Sequence, residues 1–330
     1  MELEGRRLKE SELEAILRQD SSAISRLGGE FFLRCSDMND CRARDHFGIM
    51  PGDCPAGSVI CEGKAAGRVD PHYSLMNLDE AIKTAVELRS DEGVVALSGG
   101  VDSALVARLA GRECVVVGIA GSHDLLHAGE VADQLGLVLH KVIIEPQQIE
   151  DALAEVLSVI PSPDPVNASI AATLYFVCQW AGRHGQQRIL AGQAADELFG
   201  GYSRYLLTEN LARDLERDFQ GLGLQLARDQ AVAALHGAYF SLPYMDTRVV
   251  AAARAIPPQV LVRDGVRKRP LREVAERHMP PAIARYEKKA MQYGSGVMKE
   301  IQRLAARKGY RRSVQDYLHE IGRREGLDTG

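Results

Sequence analysis

Two short stretches carry residue types that suit a charged ligand. They are residues 94–103, VVALSGGVDS, and residues 191–202, AGQAADELFGGY. In the first stretch, an apolar strand leads through Gly99 and Gly100 into a helix. Backbone N–H groups and the positive end of the helix dipole then point at one spot, and glycine lets the backbone approach a ligand closely. The pattern predicts an anion site, such as a site for phosphate.

The side chains of the first stretch support the same prediction. Ser98 and Ser103 are hydroxyl donors, and Asp102 is a carboxylate of the kind that Mg²⁺ binds beside phosphate oxygens. No lysine follows the glycines, which excludes the Walker P-loop pattern. The letters SGGVDS resemble instead the pyrophosphate-binding loop of the ATP pyrophosphatase family. That family splits ATP between its α and β phosphates and leaves AMP on the substrate.

The second stretch lies roughly ninety residues further along the chain and resembles the asparagine synthetase signature. In that family an SGEGADE-type turn is followed by LFGGY. The two motifs in this order imply ATP as a substrate and Mg²⁺ held by Asp102 and Asp196. Read without the resemblance, each aspartate could simply be a helix N-cap.

Composition places the chain among ordinary globular proteins. It has 330 residues, 45% of them hydrophobic and 26% charged. The first residues are charged and lack the apolar core of a signal peptide, and no apolar run is long enough to span a membrane. We expect a cytoplasmic protein with no membrane partner.

Charge is unevenly distributed along the chain. The net charge is −5, but residues 254–330 hold 18 Lys and Arg against 9 Asp and Glu. Such a basic segment could contact nucleotide phosphates or RNA, or could be a solvated helix surface. No aromatic residues alternate with the basic ones, which argues against single-stranded nucleic acid as a partner.

The six cysteines favour a reducing compartment without a disulfide framework. Cys35, Cys41, Cys54 and Cys61 lie close together but include no CxxC pair. A zinc site and buried thiols both remain open for these four.

Strand and helix patterns alternate between residues 75 and 192. Predicted strands cover 94–97, 114–121, 137–144 and 188–192, and predicted helices 75–90, 102–111, 123–136, 146–160 and 167–185. This order is typical of a parallel sheet covered by helices, with ligands at the carboxyl ends of the strands. The fold class is therefore α/β, and the resemblance implies an adenine-nucleotide α-hydrolase-like (ATP pyrophosphatase) domain.

The remaining residues flank this domain. Residues 1–20 predict an amphipathic helix and 27–64 a set of short strands, whereas after about residue 203 only helical patterns remain. The predicted domains are 1–66, a small β-rich remnant with its helix; 74–205, the ATP pyrophosphatase-type domain; and 206–330, a helical synthetase extension.

The β-rich segment partly resembles the end of the glutaminase domain of asparagine synthetases. The letters RDHFGIMP match its RDxxGIxPL turn through Arg44, Asp45, Phe47, Gly48, Ile49 and Pro51. Those domains are about twice as long and begin with a nucleophilic cysteine, whereas this segment begins Met1–Glu2. The resemblance implies a remnant without glutamine hydrolysis.

The helical extension carries three further matches to the family. LPYMDTRVVAAARAIP resembles the PFLDxxVVExAxxIP segment, RKRPLREVA the KxxLRxA segment, and EKKAMQYGSGV a later lysine-rich turn. These matches give Lys268, and more weakly Lys289, the role of a catalytic cation near the α-phosphate. Either lysine could instead be a surface residue of a basic segment.

Further roles follow from the resemblance. Ser98, Gly99, Gly100 and Ser103 would hold the phosphates, and Leu97, Val117, Gly118 and Gly192 would line the adenine pocket. Glu197 would assist the metal or cap a helix.

Gln193 departs from the family, which has a glutamate there that orients or deprotonates ammonia. Glutamine forms hydrogen bonds but accepts no proton at neutral pH. Adenylation should therefore survive this difference, whereas the attack by the amine and the identity of the amine both stay open.

The function implied is an asparagine synthetase-like, AMP-forming amide ligase acting on a small-molecule carboxylate, with aspartate first, and on ammonia or another amine. Partners would be a second copy of the chain, as a homodimer, or a separate ammonia-supplying glutaminase. An RNA-modifying ATP pyrophosphatase is the alternative, motivated by the basic segment and the cysteines. A non-catalytic descendant is a third possibility.

Overall fold

The computed structural model describes residues 1–35, 40–287 and 291–324. The strands in these ranges are β1 (Glu2–Leu3), β2 (Arg6–Arg7), β3 (Leu27–Gly28), β4 (Phe32–Cys35), β5 (Cys41–Arg44), β6 (Ser58–Cys61), β7 (Lys64–Arg68), β8 (Val94–Ala96), β9 (Cys114–Ile119), β10 (Leu139–Ile144), β11 (Arg188–Leu190) and β12 (Tyr239–Ser241).

The α-helices are α1 (Glu10–Gln19), α2 (Leu78–Glu87), α3 (Val101–Ala110), α4 (His123–Leu135), α5 (Pro146–Leu157), α6 (Pro165–Arg183), α7 (Ala195–Phe199), α8 (Leu211–Gln220), α9 (Leu222–Ala234), α10 (Thr247–Arg254), α11 (Pro258–Leu261), α12 (Arg269–Ala275), α13 (Pro281–Ala284), α14 (Met291–Gly294), α15 (Val297–Arg307) and α16 (Val314–Arg324).

The chain forms two compact units that are interleaved in sequence. The first comprises Met1–Leu88, Ala194–Gly223 and Ser241–Arg267, and the second Arg89–Gln193, Leu224–Phe240 and Lys268–Gly330. The three domains proposed from the sequence, with boundaries 1–66, 74–205 and 206–330, stay a prediction.

A five-stranded sheet with the order β10-β9-β8-β11-β12 forms the centre of the second unit. The pairs β10–β9, β9–β8 and β8–β11 are parallel. Strands β8, β9 and β11 are mostly apolar and buried, as expected where helices cover both faces of a sheet, whereas β10 is only partly buried. The predicted α/β fold class is confirmed.

Helix boundaries in this unit follow local capping chemistry. Asp164 accepts backbone N–H bonds at the start of α6, where Pro165 occupies the first helical position. Gly111 and Gly136 end α3 and α4 in the left-handed conformation that glycine adopts readily. The predicted helices 123–136 and 146–160 therefore lie within a few residues of α4 and α5.

Strand β12 corrects the prediction that only helices follow residue 203. The segment 225–240 reads as one helix, but α9 ends at Ala234 and the chain turns through Gly237, which has a φ of +67°. The Tyr239 N–H then donates to the Gln187 carbonyl at 2.7 Å. Pairing with a sheet edge outweighs helix propensity in this segment.

Two small antiparallel sheets dominate the N-terminal part of the first unit. Their orders are β2-β1-β3 and β4-β5-β6-β7. The predicted helix over residues 1–20 is wrong at its start, because the first seven residues form the β1–β2 hairpin and α1 begins only at Glu10. The positive φ of Glu4 and Gly5 makes this hairpin turn. Leu8, Leu13 and Leu17 still form part of one apolar core, as their spacing predicts.

A buried charge cluster attaches the first residues of the chain to this unit. The Arg248 guanidinium donates to both Glu2 carboxylate oxygens at 2.8 Å and to Asp246 at 3.1 Å. The Tyr73 ring lies 3.5 Å from the guanidinium carbon. Removing one member of such a cluster leaves a buried charge uncompensated, which typically costs about 3–5 kcal/mol.

The RDHFGIMP segment forms a turn that its own side chains close. The Asp45 carboxylate accepts the backbone N–H groups of Ile49 and Met50 at 2.8 and 2.9 Å. The Arg44 guanidinium donates to the carbonyls of Gly48 and Met50, both at 2.6 Å. This turn is a structural element of the first unit.

A disulfide joins Cys41 on β5 to Cys61 on β6. Arg42 pairs with Ile60 in the antiparallel register, which places the two cysteines opposite each other. The spacing of the cysteines along the chain did not indicate this pairing. The prediction that the chain has no disulfide is therefore wrong for Cys41 and Cys61. Cys54, Cys114 and Cys178 are buried thiols.

The described residues contain neither a cluster of metal ligands nor a helix that could span a membrane. Within them, no three His, Cys, Asp or Glu side chains are grouped closely enough to hold a metal ion. In the same part of the chain, every helix is too short or too polar to cross a bilayer.

The buried Asp45 carboxyl should make stability depend on pH. Burial raises the pKa of Asp45 to about 6, against 3.8 in the unfolded chain. The folded state then binds more protons between these values, so the free energy of unfolding falls as pH rises through this window. We expect wild type to gain on the order of 2–3 kcal/mol relative to Asp45→Asn when the pH is lowered from about 6.5 to about 4.

Thermal unfolding across this pH range measures the difference. Asp151→Asn, at an exposed position on α5, is the matched control and should track wild type at every pH. A constant gap between Asp45→Asn and wild type would contradict the assignment.

Candidate active site

The loop between β8 and α3 holds the first predicted motif and is closed by its own serines. The hydroxyls of Ser98 and Ser103 lie 2.8 Å apart, and the Ser98 N–H donates to Ser103 Oγ at 3.1 Å. Ser103 Oγ also donates to the Gly100 carbonyl at 3.2 Å. The loop is therefore fixed before any ligand is bound.

The two glycines of this loop meet different requirements. Gly99 has a φ of +78°, and a Cβ there would lie 2.8 Å from His127 Cδ2 and 3.1 Å from the Ala128 nitrogen. Gly100 is the N-cap of α3 and provides no side-chain cap. The first N–H groups of this ten-residue helix are thus suited to an anionic ligand.

Further predicted residues lie on or next to the neighbouring strands, near the carboxyl ends of those strands. The Leu97 N–H donates to the Val115 carbonyl at 2.9 Å, which sets the loop beside β9. Leu97 and Val117 are buried. A Cβ on Gly118 would lie 2.4 Å from Ser122 Oγ and 3.1 Å from the Ser295 carbonyl, so no side chain fits there.

Gly192, just past β11, packs directly on the start of α3. A Cβ at this position would lie 3.0 Å from both Asp102 Cβ and the Ser103 nitrogen. Because β11 pairs with β8, the two predicted motifs meet at this point within the second unit.

Asp102 and Lys268 form an ion pair at the edge of this loop. Lys268 Nζ donates to Asp102 Oδ2 at 2.6 Å, with side chains 9% and 22% exposed. Lys268 is the N-cap of α12 and has a φ of +56°, which is strained for a lysine. The structure thus brings together two residues 166 positions apart that were predicted separately.

The Gln193 side chain contacts a buried polar group that was not predicted from the sequence. Its Nε2 donates to Asp229 Oδ2 at 3.4 Å, and the Arg228 guanidinium donates to Asp229 Oδ1 at 2.8 Å. Arg228 also donates to Asn167 Oδ1 at 2.6 Å. Burial raises the pKa of Asp229, and the charge of Arg228 opposes that shift.

Three predicted residues remain, namely Asp196, Glu197 and Lys289. Asp196 and Glu197 are on α7, in the first unit, where Glu197 is buried and accepts a hydrogen bond from the Tyr202 hydroxyl. Ala194 before them has a φ of +70°, at a position where the SGEGADE-type motif has glycine. Lys289 lies outside the described residues.

Several residues next to the predicted ones escaped sequence reasoning. His127 contacts Gly99 from α4, and its ring lies 3.7 Å from that of Tyr286. Arg228 and Asp229 are adjacent charged residues in a helical segment, a pattern typical of an exposed helix face. Only their burial distinguishes them, and burial depends on the packing of the whole unit.

A cavity of about 210 Å³ lies at the other end of the strands, away from the predicted motifs. It is lined by Val94, Arg112, Glu113 and Trp180, at the amino ends of β8 and β9. Since the predicted motifs lie at the carboxyl ends of these strands, this cavity is separate from the candidate site.

Comparisons with known proteins agree with the arrangement of the motifs. The model of the family described as asparagine synthase matches residues 77–230 and 209–321. A Methanocaldococcus jannaschii protein, provisionally named as glutamine-hydrolyzing asparagine synthetase 1, is 31% identical over 294 residues. That alignment covers 75% of this chain and 54% of the relative.

A second relative is glutamine-hydrolyzing asparagine synthetase B of Escherichia coli, 26% identical over 66% of this chain and 44% of its own length. The chain thus spans about half the length of these curated relatives. Among solved structures, an NMN synthetase from Francisella tularensis aligns with 77% of this chain and 98% of its own at 17% identity. Its TM-score of 0.33 is too low to support an argument.

The packing of Gly99 predicts a large effect of a single methyl group. Gly111, with a φ of +59° and no atom within 4 Å of an added Cβ, is the matched control. Gly111→Ala should cost about 1 kcal/mol, from the left-handed backbone alone. Gly99→Ala should cost roughly 1–3 kcal/mol more, because the methyl group also collides with His127 and Ala128.

Urea unfolding of the two variants and of wild type measures the difference. Equal losses for Gly99→Ala and Gly111→Ala would show that the loop accommodates a side chain at position 99.

Proposed function

Because the chain belongs to the asparagine synthase family, we propose that it is an ATP-dependent, AMP-forming ligase that makes a C–N bond between a carboxylate and ammonia. We take aspartate as the carboxylate. Its oxygen attacks the α-phosphorus of ATP, and the bond to the β-phosphate breaks, so that pyrophosphate leaves. Ammonia then attacks the acyl carbon, the bond to AMP breaks with its electron pair on the phosphate, and the surplus proton passes to solvent.

The observation that carries this proposal is the contact between the two motifs in the second unit. The glycine loop at the start of α3, Gly192 packed on Asp102, and Lys268 paired with Asp102 together form a polar region at the carboxyl ends of a parallel sheet. Ligands of open α/β sheets bind at that edge. Both relatives are named as asparagine synthetases, which supports a ligase of this kind.

The residues of the loop would bind the nucleotide. In our proposal, Ser98, Gly99, Gly100 and Ser103 hold the phosphates, which accept hydrogen bonds from the N–H groups at the start of α3, and the α3 dipole favours their negative charge. Leu97, Val117, Gly118 and Gly192 would line the adenine pocket through aliphatic groups and backbone polar atoms.

Charge stabilisation would come mainly from the Asp102–Lys268 pair. Phosphoryl and adenylyl transfer depend on positioning and on neutralising charge that develops in the transition state. The Lys268 ammonium, held by Asp102 at 2.6 Å, is a preorganised cation of this kind. Lys289 is proposed as a second cation.

The carboxylates proposed to hold Mg²⁺ are Asp102 and Asp196. The ion would neutralise charge on the leaving pyrophosphate when bound. A carboxylate in the first turn of α3, beside a helix N-terminus suited to phosphate, fits such an ion. Asp102 would then form two ionic interactions in the site, one with Lys268 and one with the metal ion.

The nitrogen donor is proposed to be free ammonia, or ammonia from a separate glutaminase. Burial raises the pKa of Cys114 to about 12 and the pKa of Cys178 well above its ordinary value, so neither thiol is a ready nucleophile for glutamine. We propose that the enzyme acts in the cytoplasm, as a small-molecule ligase without a nucleic-acid or membrane partner. Its oligomeric form would be a homodimer.

A screen of carboxylic acids and amines tests the reaction. Pyrophosphate release is followed for each pair, with aspartate and ammonia first, and mass spectrometry identifies the product and AMP. Release of ADP in place of AMP would contradict the proposal. Release of AMP only in the presence of tRNA or another RNA would favour the RNA-modifying alternative.

Asp102→Asn should lower the rate of AMP formation by roughly 10²–10³-fold, as loss of a transition-state electrostatic contact does. The asparagine keeps the shape of the side chain but loses the charge that holds Lys268 and the proposed metal. Asp133→Asn, at an exposed position on α4, makes the same charge change and should leave the rate within a factor of about two, as surface substitutions do.

Steady-state rates of AMP release under saturating ATP provide the comparison. If Asp102→Asn turned over as fast as Asp133→Asn, Asp102 would have no part in catalysis.

A further inference from the structure

Three cysteines lie side by side on the four-stranded sheet of the first unit. Strand β5 is paired with β4 on one side and with β6 on the other. Cys35 on β4 is the partner of Cys41 on β5, and the register of Arg42 with Ile60 places Cys41 opposite Cys61 on β6. Directly opposed residues of antiparallel strands carry their side chains on the same face. The three side chains therefore share one face of the sheet, with Cys41 in the middle.

The middle cysteine is the least accessible of the three. Cys41 is 8% exposed, whereas Cys35 and Cys61 are half-buried and pack against the apolar core that contains Leu13 and Val59. A thiol that is already beside Cys41 on the sheet therefore reaches this sulfur more readily than a reagent in solution does.

The three sulfur atoms differ in oxidation state. Cys41 and Cys61 form the disulfide, and Cys35 is a thiol. A disulfide is exchanged when a thiolate attacks one of its sulfur atoms and the other sulfur leaves. The attack is in line with the S–S bond, and β4 lies on the side of β5 opposite to β6. Cys35 thus approaches Cys41 from the side opposite to the leaving Cys61 sulfur.

The spacing of the strands allows either cross-link. Directly opposed Cβ atoms of antiparallel strands lie about 4.5–5.5 Å apart, and a disulfide needs a Cβ separation of about 3.5–4.5 Å. A bond between Cys35 and Cys41 therefore requires these two side chains to approach by about 1 Å, and the pairing of β4 with β5 can stay as it is.

We propose that Cys35, Cys41 and Cys61 form a site of intramolecular thiol–disulfide exchange. The Cys35 thiolate attacks Cys41 Sγ, the bond between Cys41 and Cys61 breaks, and Cys61 leaves as a thiolate that takes up the proton lost by Cys35. The step is reversible and consumes no oxidant or reductant. It moves the cross-link from β5–β6 to β4–β5 and moves the reactive thiol from Cys35 to Cys61.

The nearby Cys54 takes no part in this exchange. It lies in the segment between β5 and β6, outside the strand ladder, and it is a buried thiol. The ladder therefore distinguishes Cys35 from Cys54 as the attacking group, and Cys54 provides a matched control. The exchange is also independent of the proposed ligase reaction, so that failure of either proposal leaves the other standing.

Peptide mapping distinguishes the two disulfide isomers. Trypsin cuts after Arg34, Arg42, Arg44 and Lys64, so residues 35–42 carry both Cys35 and Cys41, and residues 45–64 carry Cys54 and Cys61. The Cys41–Cys61 isomer gives these two peptides joined. The Cys35–Cys41 isomer gives peptide 35–42 alone with an internal disulfide. The oxidised protein is incubated at about pH 8, and acid then protonates the thiolates and stops exchange before alkylation with N-ethylmaleimide and digestion.

Wild type should contain both isomers. Each isomer has one disulfide and one thiol from the same three residues, so the Cys35–Cys41 form should make up at least about 10% of the molecules. Cys35→Ser removes the attacking thiol and should give the joined peptides only. Cys61→Ser should form the Cys35–Cys41 bond in a glutathione buffer that keeps the wild-type disulfide oxidised. Cys54→Ser should match wild type in both populations.

Three results would overturn the exchange site. They are a Cys35–Cys41 population below the expected level in wild type, thiols at both positions 35 and 41 in folded Cys61→Ser, and a disulfide that includes Cys54 in place of Cys35. Thermal unfolding shows whether each variant is folded. If Cys61→Ser does not fold, the comparison of wild type with Cys35→Ser and Cys54→Ser still decides the outcome.

Discussion

The parallel pairing of β8 with β9 and β11 is the constraint on which the candidate site depends. Parallel strands end at the same edge of a sheet, so the residues that follow them become neighbours whatever their separation in sequence. The Leu97 hydrogen bond to β9 and the packing of Gly192 on Asp102 are direct consequences. A one-residue change of register would turn the side chains of the shifted strand to the opposite face of the sheet.

Buried charges in both units depend on partners that are distant in sequence. Lys268 meets Asp102, Arg228 meets Asn167, and Arg248 meets Glu2. Each charge is stable in the interior only while its partner is present. The fold must therefore be complete before these groups have their final protonation and orientation, which links the chemistry of the site to the integrity of each unit.

Sequence patterns predicted the parts of the fold that local physics decides. Alternation of apolar strands with capped helices between residues 94 and 190 predicted the parallel sheet. The glycines of SGGVDS predicted a close approach of the backbone to an anion, which stays a prediction, whereas the structure shows Gly99 packed against His127 and Ala128. Family motifs then pointed to Lys268, which local pattern alone could not distinguish from a surface lysine.

What the sequence did not predict is decided by tertiary contacts. Strand β12 forms because a sheet edge is available to Tyr239, and the β1–β2 hairpin because Leu27 and Gly28 pair with β1. The Cys41–Cys61 bond follows from strand register. Asp229 carries no sequence signal, since an aspartate beside an arginine on a helix is ordinary at a surface.

The departure of Gln193 from the family glutamate has an electrostatic reason in this chain. The Asp229 carboxyl lies 3.4 Å from the Gln193 amide nitrogen, and Arg228 can compensate the charge of only one carboxylate. A second carboxylate at position 193 would lack a counter-charge, and one of the two would bind a proton. Positions 193 and 229 therefore have to be filled jointly, with one acceptor charge between them. The choice of side chain at position 193 is thus tied to the state of Asp229, whose pKa burial already raises and Arg228 lowers.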